Sequence, residues 1–312
     1  MGCWSLISDS NWGTQKESDS VAAIDAALHE GIRAFDTAPM YGNGESEMLL
    51  GRTLQPHRAE VVIATKVFGR LSAEMVRQSC EDSLRRLGTD YIDLYQVHWP
   101  DPLTPLGETA DALLQLQAEQ KIREIGVCNF GALDLAEALK VMPIFSNQMP
   151  YSLLWRGLEF EVLPFCRREG IGIIAYSSLM QGLLTGKFKD AGEVPEGRAR
   201  TKHFSSELRA QARHGQPGHE TETFESIEKI RDVCRRAGVS MGTASLAALL
   251  DLDGIMSVIA GARNAGQAHE NADLLTTQLQ QTVVKELRDA TDHLKNAMGG
   301  DLDPWAAPSR IR

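Results

Sequence analysis

Short apolar runs alternate with amphipathic stretches along almost the whole chain. Most of the runs, such as VVIATKV and IGIIAYS, are nearly continuous in apolar residues. Runs of this kind are typical of parallel strands that are covered on both faces. We identify eight of them, at Gly2 to Leu6, Arg33 to Thr37, Glu60 to Val67, Tyr91 to His98, Ile122 to Asn129, Ile144 to Pro150, Ile171 to Ser177 and Gly254 to Gly261.

Between these runs, apolar residues recur every three or four positions, which predicts amphipathic helices. Glycines stand where such helices should end, in the position that favours a left-handed C-terminal cap. The helical spacing is clearest at Val21, Ile24 and Leu28 and at Val76, Cys80, Leu84 and Leu87, and the capping glycines are Gly31, Gly88 and Gly170.

Eight alternations of strand and helix predict an α/β fold of the closed (β/α)₈ TIM-barrel type. A doubly wound open sheet is the structural alternative, but its usual G-x-G-x-x-G turn after the first strand is missing from this sequence. Barrels of about this length commonly form one domain, so we expect residues 1–312 to be a single domain. Residues 178–219 are rich in glycine and charge and weakly periodic, which predicts a long functional loop between strands 7 and 8, of the kind that acts as a lid.

The composition narrows the class of protein. The 42 acidic and 32 basic residues give a net charge of −10, which disfavours nucleic acid and anionic membrane surfaces as partners. The five cysteines are an odd number without a C-x-x-C pair, so we expect neither a disulfide framework nor a zinc site. Without a signal-like N-terminus or a long apolar run, the expected location is the cytoplasm.

The ends of the predicted strands are unusually polar. In a barrel the active site lies at the carboxyl ends of the strands, where the βα loops meet. Asp36, Lys66, His98 and Asn129 follow one another at intervals of about 30 residues, so they should point to a common centre. Gln148, Tyr176 and Gly261 end later strands.

These residue types suit proton donation beside a reactive carbon. Tyr41 follows Asp36 within the stretch DTAPMYGNGESEMLLG, and an adjacent ammonium such as Lys66 should lower the pKa of its phenol. Asp36 can keep that lysine charged, and His98 can bind a substrate oxygen. Taken singly, each residue has an ordinary explanation as a turn former, strand end, core histidine or loop anchor. Their convergence favours a catalytic site.

On these motifs, the sequence resembles the aldo-keto reductases, near the branch of the bacterial reductases and the potassium-channel β subunits. DTAPMYGNGESEMLLG, IATKV and YIDLYQVHWPDP look like the family segments that contain the catalytic residues, and QAHENA extends the likeness toward the C-terminus. The resemblance implies a catalytic tetrad of Asp36, Tyr41, Lys66 and His98. It implies reversible hydride transfer between a nicotinamide and an aldehyde or ketone, with Tyr41 as the general acid.

The resemblance also implies a set of cofactor-binding residues. Asn129 and Gln148 would bind the nicotinamide amide, and Tyr176 would stack on its ring. Arg263 would bind the phosphate that distinguishes NADPH from NADH, so NADPH is the expected cofactor. The full set is Trp4, Asp36, Asn129, Gln148, Tyr176, Ser177, Leu179, Gly182, Leu184, Lys187, Gly261, Arg263, Gln267, Glu270 and Asn271.

Several alternatives stay open at this point. A nucleotide-binding regulatory subunit of the channel type would share the fold with little turnover, and a metal-dependent hydrolase would need ligand motifs such as H-x-H that are missing here. Arg198, Arg200 and Lys202 either close over the phosphate or form a solvated basic loop, and Cys128 is better explained as a small core residue than as a reactive thiol. We expect a small carbonyl or alcohol substrate, with apolar walls drawn from Trp4, Trp12, Met40, Trp99 and Trp155.

Overall fold

The computed structural model describes residues 1–312 and shows an α/β fold with seven parallel strands. The strands are β1 Ala34–Asp36, β2 Val62–Val67, β3 Ile92–Val97, β4 Ile122–Cys128, β5 Ser146–Pro150, β6 Gly172–Tyr176 and β7 Ile255–Val258. The helices are α1 Glu17–His29, α2 Glu45–Leu54, α3 Ala73–Leu87, α4 Leu106–Ala118, α5 Ala132–Ala138, α6 Val162–Glu169, α7 Glu220–Ala237, α8 Met241–Leu250, α9 Ala265–Ala272, α10 Gln281–Asp289 and α11 Asp292–Met298. Every helix is too short or too polar to cross a lipid bilayer.

Seven of the eight predicted strands are present, and the first is not. Gly2 forms isolated parallel bridges with Asp36 and Gly261, but Trp4–Leu6 is a 3₁₀ helix. The apolar run from Gly2 to Leu6 is explained by burial of Cys3, Ser5 and Leu6 rather than by strand pairing. Apolar character alone does not separate a buried strand from a buried turn of helix in so short a segment.

The predicted helices and their capping glycines are confirmed. Gly88 and Gly170 end α3 and α6 in the left-handed conformation, with φ of 62° and 70°. Gly31, two residues after α1, also has a positive φ. From residue 178 to residue 219 the chain has no strand or α-helix and only short 3₁₀ turns, so the predicted long loop is confirmed in position.

Contacts divide the chain into two compact units. The first consists of Met1–Asp9, Gly13–Gln148 and Gly261–Ala272, and the second of Ser10–Trp12, Met149–Ala260 and Asp273–Arg312. In the first unit β1 to β5 lie in chain order, β3 is buried along its whole length, and α1 packs on α9. A single closed barrel of residues 1–312 stays a prediction.

The second unit has its own core and a buried ionic network. Its apolar core includes Trp155, Phe204 and Ile227, all at most 1% exposed. Glu159, with a side chain 6% exposed, accepts hydrogen bonds from Arg156 at 2.8 Å and from Lys295 at 2.8 Å. Burial raises the pKa of Glu159, but these cations together lower it by more, and the net pKa is lowered to about 2. The carboxylate is therefore charged at neutral pH and joins a turn to the C-terminal helices α10 and α11.

Candidate active site

The register of the strands brings Asp36 and Lys66 to the same face of the sheet. Asp36 pairs with Ala64 across β1 and β2, two residues before Lys66. Lys66 pairs in turn with Gln96 across β2 and β3, two residues before His98. Because residues two apart in a strand point to the same face, the polar residues at successive strand ends share one face with a constant stagger. The sequence interval of about 30 residues reflects this repeat.

Asp36 and Lys66 form a buried ion pair. The Lys66 ammonium is completely buried and donates to Asp36 Oδ1 at 2.7 Å, to the Thr37 carbonyl at 2.7 Å and to Tyr41 Oη at 3.4 Å. Burial has the largest single effect and lowers the pKa of Lys66, but the charge and hydrogen bond of Asp36, together with smaller contributions from Tyr41 and Cys128, raise it, and the net pKa lies above its ordinary value. This contact is the one that the predicted role of Asp36, to hold this lysine charged, requires.

The second oxygen of Asp36 is also bound. Gln148 Nε2 donates to Asp36 Oδ2 at 2.7 Å, and Gln96 Nε2 lies 3.4 Å from the same oxygen. The resemblance places Gln148 against the nicotinamide amide, and in this structure the Gln148 amide also positions the Asp36 carboxylate. Gln96 is fully buried and was missed in the sequence, although it stands two residues before His98 and therefore faces the same centre.

Tyr41 is held over this centre by a tight turn. Gly42, Asn43 and Gly44 all have positive φ, and they join the Tyr41 turn directly to α2. Gly44 has a φ of 93°, which favours glycine, and a side chain there would also press on the Arg86 side chain, 2.5 Å from its Cδ. The Tyr41 ring stacks on Trp4 with 5.9 Å between centroids. The two glycines of the signature stretch thus fix where the phenol lies.

One prediction about Tyr41 is wrong. Lys66 does lower the pKa of the phenol, as expected, but burial raises it by more, and the net pKa is raised to about 12. The sequence shows that an ammonium is near but not how deeply the phenol is buried. Tyr41 is therefore fully protonated at neutral pH, as a proton donor must be.

His98 lies on the other side of Tyr41. Its ring is edge-on to the Tyr41 ring at 6.3 Å and to the Phe68 ring at 5.8 Å. Burial, with a further contribution from Lys66, lowers the pKa of His98 to about 3. The imidazole is thus neutral, and its Nδ1 is buried without a hydrogen-bond partner. A buried polar atom without a partner is rare and suits a site that awaits a ligand.

Asn129 lies beside His98 with a strained backbone. It has a positive φ of 61°, unusual for a residue other than glycine, and its Nδ2 donates to the His98 carbonyl at 3.1 Å. Its backbone amide donates to the Gln148 carbonyl at 2.9 Å. Strained residues of this kind concentrate at functional sites.

The residues predicted for the adenosine end surround the start of α9. Gly261 bridges to Gly2, and a side chain there would lie 2.9 Å from Ser5 Oγ. Gln267 and Asn271 fold back onto this turn, since Gln267 Oε1 accepts from the Arg263 amide at 2.9 Å and Asn271 Nδ2 donates to the Gly261 carbonyl at 3.0 Å. Glu270 is exposed on α9. Hydrogen bonds therefore link four of the five residues predicted here in two pairs, and Glu270 takes no part in them.

The remaining predicted cofactor residues belong to the second unit. Tyr176 ends β6, and Ser177 has a positive φ of 53°. Leu184 is fully buried in the core of this unit, and Leu179 packs against that core. The Lys187 ammonium lies against Gly182, at 2.8 Å from where a side chain would begin. Burial lowers the pKa of Lys187, and the charge of Arg198 lowers it further.

The three basic residues of the long loop do not form a solvated patch. The Lys202 side chain is 4% exposed and pairs with Asp301. Arg200 Nε donates to the Gly197 carbonyl at 2.8 Å, and its guanidinium lies 5.1 Å from the Trp305 ring. The Arg198 guanidinium lies 5.5 Å from the Trp12 ring. The interpretation of GRARTK as a solvated basic loop fails for Lys202, which is buried, whereas Arg198 and Arg200 are half-buried.

Of the other side chains considered for the site, some are buried in a core and others are about half exposed. Cys128 is buried and burial raises the pKa of its thiol, so it is a core residue, as expected. Trp155 is 1% exposed and packs in the core of the second unit. Met40 and Phe68 are 48% and 50% exposed. Phe68, which follows the end of β2, is an exposed aromatic beside His98 that sequence reasoning missed.

Comparison with known proteins agrees with this geometry. The profile of the Aldo/keto reductase family matches residues 1–292. The chain belongs to the aldo/keto reductase family. As an aldo/keto reductase it is an NAD(P)-dependent oxidoreductase, and this membership favours the reductase interpretation over the metal-dependent hydrolase.

Three similar proteins show how far the likeness extends. The NADH-specific methylglyoxal reductase of Escherichia coli is 32% identical over 322 residues, covering 94% of this aldo/keto reductase and 94% of the relative. The structure of the glycerol dehydrogenase AKR11B4 of Gluconobacter oxydans matches with a TM-score of 0.80 and 30% identity over 97% of this chain and 93% of that one. An aldo/keto reductase from Klebsiella pneumoniae in complex with NADP and acetate matches with a TM-score of 0.72 and 27% identity over 93% and 89%.

Proposed function

We propose that this protein reduces the carbonyl group of small aldehydes and ketones to alcohols, reversibly, with NADPH as its preferred cofactor. The observation that carries the proposal is the position of the Lys66 ammonium, 2.7 Å from Asp36 Oδ1 and 3.4 Å from Tyr41 Oη in a buried centre. In this arrangement Tyr41 can donate a proton and Lys66 can stabilise the phenolate that remains. Asp36 supplies the negative charge that keeps Lys66 protonated.

The side chains of this centre fit a nicotinamide and a carbonyl substrate. Tyr41 offers a protonated phenol, and His98 offers a neutral ring whose Nδ1 has no partner in the protein. A nicotinamide, when bound, would supply the hydride. The protein has to supply the proton, the orientation of the substrate oxygen and the exclusion of water.

Each member of the tetrad then has a distinct role. Tyr41 donates its hydroxyl proton to the carbonyl oxygen as that oxygen becomes an alkoxide, and Lys66 stabilises the phenolate that forms. Asp36 keeps Lys66 charged, and Gln148 and Gln96 hold Asp36 in place. His98 acts as a neutral hydrogen-bonding group, because a pKa of about 3 leaves it uncharged in the physiological range.

The preference for NADPH rests on Arg263. Its position before α9, in a turn held by Gln267 and Asn271, is suited to a phosphate group. The NADP complex of the Klebsiella relative supports this choice, whereas the Escherichia coli relative is named as NADH-specific. The other predicted cofactor contacts remain part of this proposal, namely those of Trp4, Asp36, Asn129, Gln148, Tyr176, Ser177, Leu179, Gly182, Leu184, Lys187, Gly261 and Glu270.

The proposed substrates are small, oxygen-rich carbonyl compounds such as aldehydes, sugars and ketones. The relatives named for methylglyoxal and glycerol support this class. Met40 and Phe68, both about half exposed, would offer an apolar wall beside the polar centre. A cytoplasmic location and a single closed barrel belong to the same proposal.

The proposal is tested by following NADPH oxidation over a panel of small aldehydes, sugars and ketones. We expect turnover with at least one class, and weaker use of NADH at equal concentration. Dinucleotide binding measured in parallel separates the outcomes. Tight binding of NADPH with no turnover of any carbonyl compound would instead support a regulatory subunit of the channel type.

A further inference from the structure

The side chain of Arg263 is engaged with a loop that precedes α1. Arg263 Nε donates to Gln15 Oε1 at 2.8 Å, and Arg263 Nη2 donates to the Thr14 carbonyl at 2.6 Å. These two nitrogens form one edge of the guanidinium, and such an edge binds a phosphate or carboxylate with two parallel hydrogen bonds. Gln15 and Thr14 thus bind Arg263 as an anion would, but without a negative charge.

Gln15 is itself fixed in this position. Its Nε2 donates to the Arg263 carbonyl at 2.7 Å and to Ser20 Oγ at 3.0 Å. Its backbone amide donates to Ser8 Oγ at 2.8 Å. Gln15 therefore both accepts from the Arg263 side chain and donates to the Arg263 main chain, so its contact is reciprocal and specific rather than a chance approach of two surface residues.

We propose that Gln15 limits the preference for NADPH over NADH by competing with the 2′-phosphate for Arg263. This inference rests on the proposed function, in which that phosphate binds at Arg263. To bind this edge of the guanidinium with two charge-assisted hydrogen bonds, a phosphate must displace both Gln15 Oε1 and the Thr14 carbonyl. NADH has no such phosphate and leaves the contact intact. The contact therefore reduces the selectivity that an arginine without it would confer.

The strength of the competition depends on the charge of residue 15. The amide oxygen of glutamine is neutral, so a phosphate can replace it with a stronger, charge-assisted pair. A glutamate at the same place would add a full negative charge on the same guanidinium edge. Gln15→Ala removes the competitor, and Gln15→Glu strengthens it with almost no change of shape.

The experiment is calorimetric titration of the full-length protein with 2′,5′-ADP and with 5′-AMP, which differ in the 2′-phosphate alone. For Gln15→Ala we expect 2′,5′-ADP to bind about fivefold more tightly than to the unmodified protein, the effect of one neutral hydrogen bond. For Gln15→Glu we expect about tenfold weaker binding or more, the effect of a charged one. Binding of 5′-AMP should change less than about twofold in both variants, because 5′-AMP has no 2′-phosphate to compete with residue 15 for Arg263.

Two controls keep the outcomes separate. Arg263→Ala should abolish the difference in affinity between 2′,5′-ADP and 5′-AMP. Gln55→Glu, at an exposed glutamine after α2, makes the same change of charge away from Arg263 and should leave the affinity for 2′,5′-ADP unchanged. Unchanged probe selectivity in both Gln15 variants would overturn the inference. If the unmodified protein does not distinguish the probes while it still binds NADPH, the phosphate assignment of the proposed function fails instead.

Discussion

Replacement of Tyr41 by phenylalanine is expected to lower kcat/KM for carbonyl reduction by a factor between about 10² and 10⁴. The substitution removes the one hydroxyl that lies beside the Lys66 ammonium, at 3.4 Å. Without it the alkoxide has no positioned proton donor, whereas the ring can still stack on Trp4. The measurement is steady-state reduction of the best substrate of the panel, together with titration of NADPH.

A matched control distinguishes the hydroxyl from a general effect of the substitution. Tyr91 also bears a partly buried phenol, but it lies between the guanidinium groups of Arg58 and Arg123. Tyr91→Phe should therefore leave kcat/KM within about twofold of the original value, because Tyr91 precedes β3 and lies at the opposite end of that strand from His98. If Tyr41→Phe retains more than a tenth of the activity with unchanged NADPH affinity, the assignment of Tyr41 as general acid is wrong.

The substitution Lys66→Met is expected to lower the free energy of unfolding by about 3–5 kcal/mol and to abolish turnover. Lys66 is completely buried, and its removal leaves the carboxylate of Asp36 in the interior with only amide partners. An uncompensated buried charge is costly, while the methionine side chain fills a similar volume. Urea unfolding followed by fluorescence measures the loss.

The double variant Asp36→Asn with Lys66→Met tests the cause of that loss. Once the carboxylate is neutral, no unpaired charge remains, and we expect most of the stability to return although the protein stays inactive. If the double variant instead loses as much free energy of unfolding as the Asp36→Asn and Lys66→Met variants lose in sum, the two residues are not coupled in the way that their 2.7 Å contact implies.

The sequence was sufficient to predict which polar side chains lie near one another, because the strand ends of a parallel sheet converge. Asp36, Lys66 and His98 lie at the ends of consecutive strands, and the two-residue stagger keeps them on one face. The glycines after Tyr41 also indicated a tight turn before α2. The local sequence pattern and the parallel topology were therefore enough to predict where most of the polar side chains of the site lie.

The sequence-based predictions failed where a property depends on how deeply a residue is buried or on contacts between residues far apart in the chain. The run from Gly2 to Leu6 is apolar enough for a strand, but it folds as a bridge and a 3₁₀ turn. The pKa of Tyr41 is raised because the phenol is buried, which no local motif reports. Gln15 and Arg263 are 248 residues apart, so nothing in either segment predicts their contact.

The central claim is that Tyr41, Lys66, Asp36 and His98 form the site at which a nicotinamide transfers hydride to a carbonyl carbon. The most direct measurement uses NADPH labelled with deuterium at the transferable position of the nicotinamide, with mass spectrometry of the alcohol formed. We predict that the deuterium appears on the carbinol carbon in the unmodified protein and that Tyr41→Phe forms almost no labelled product. An alcohol without deuterium, or equal labelling by both proteins, would contradict the claim.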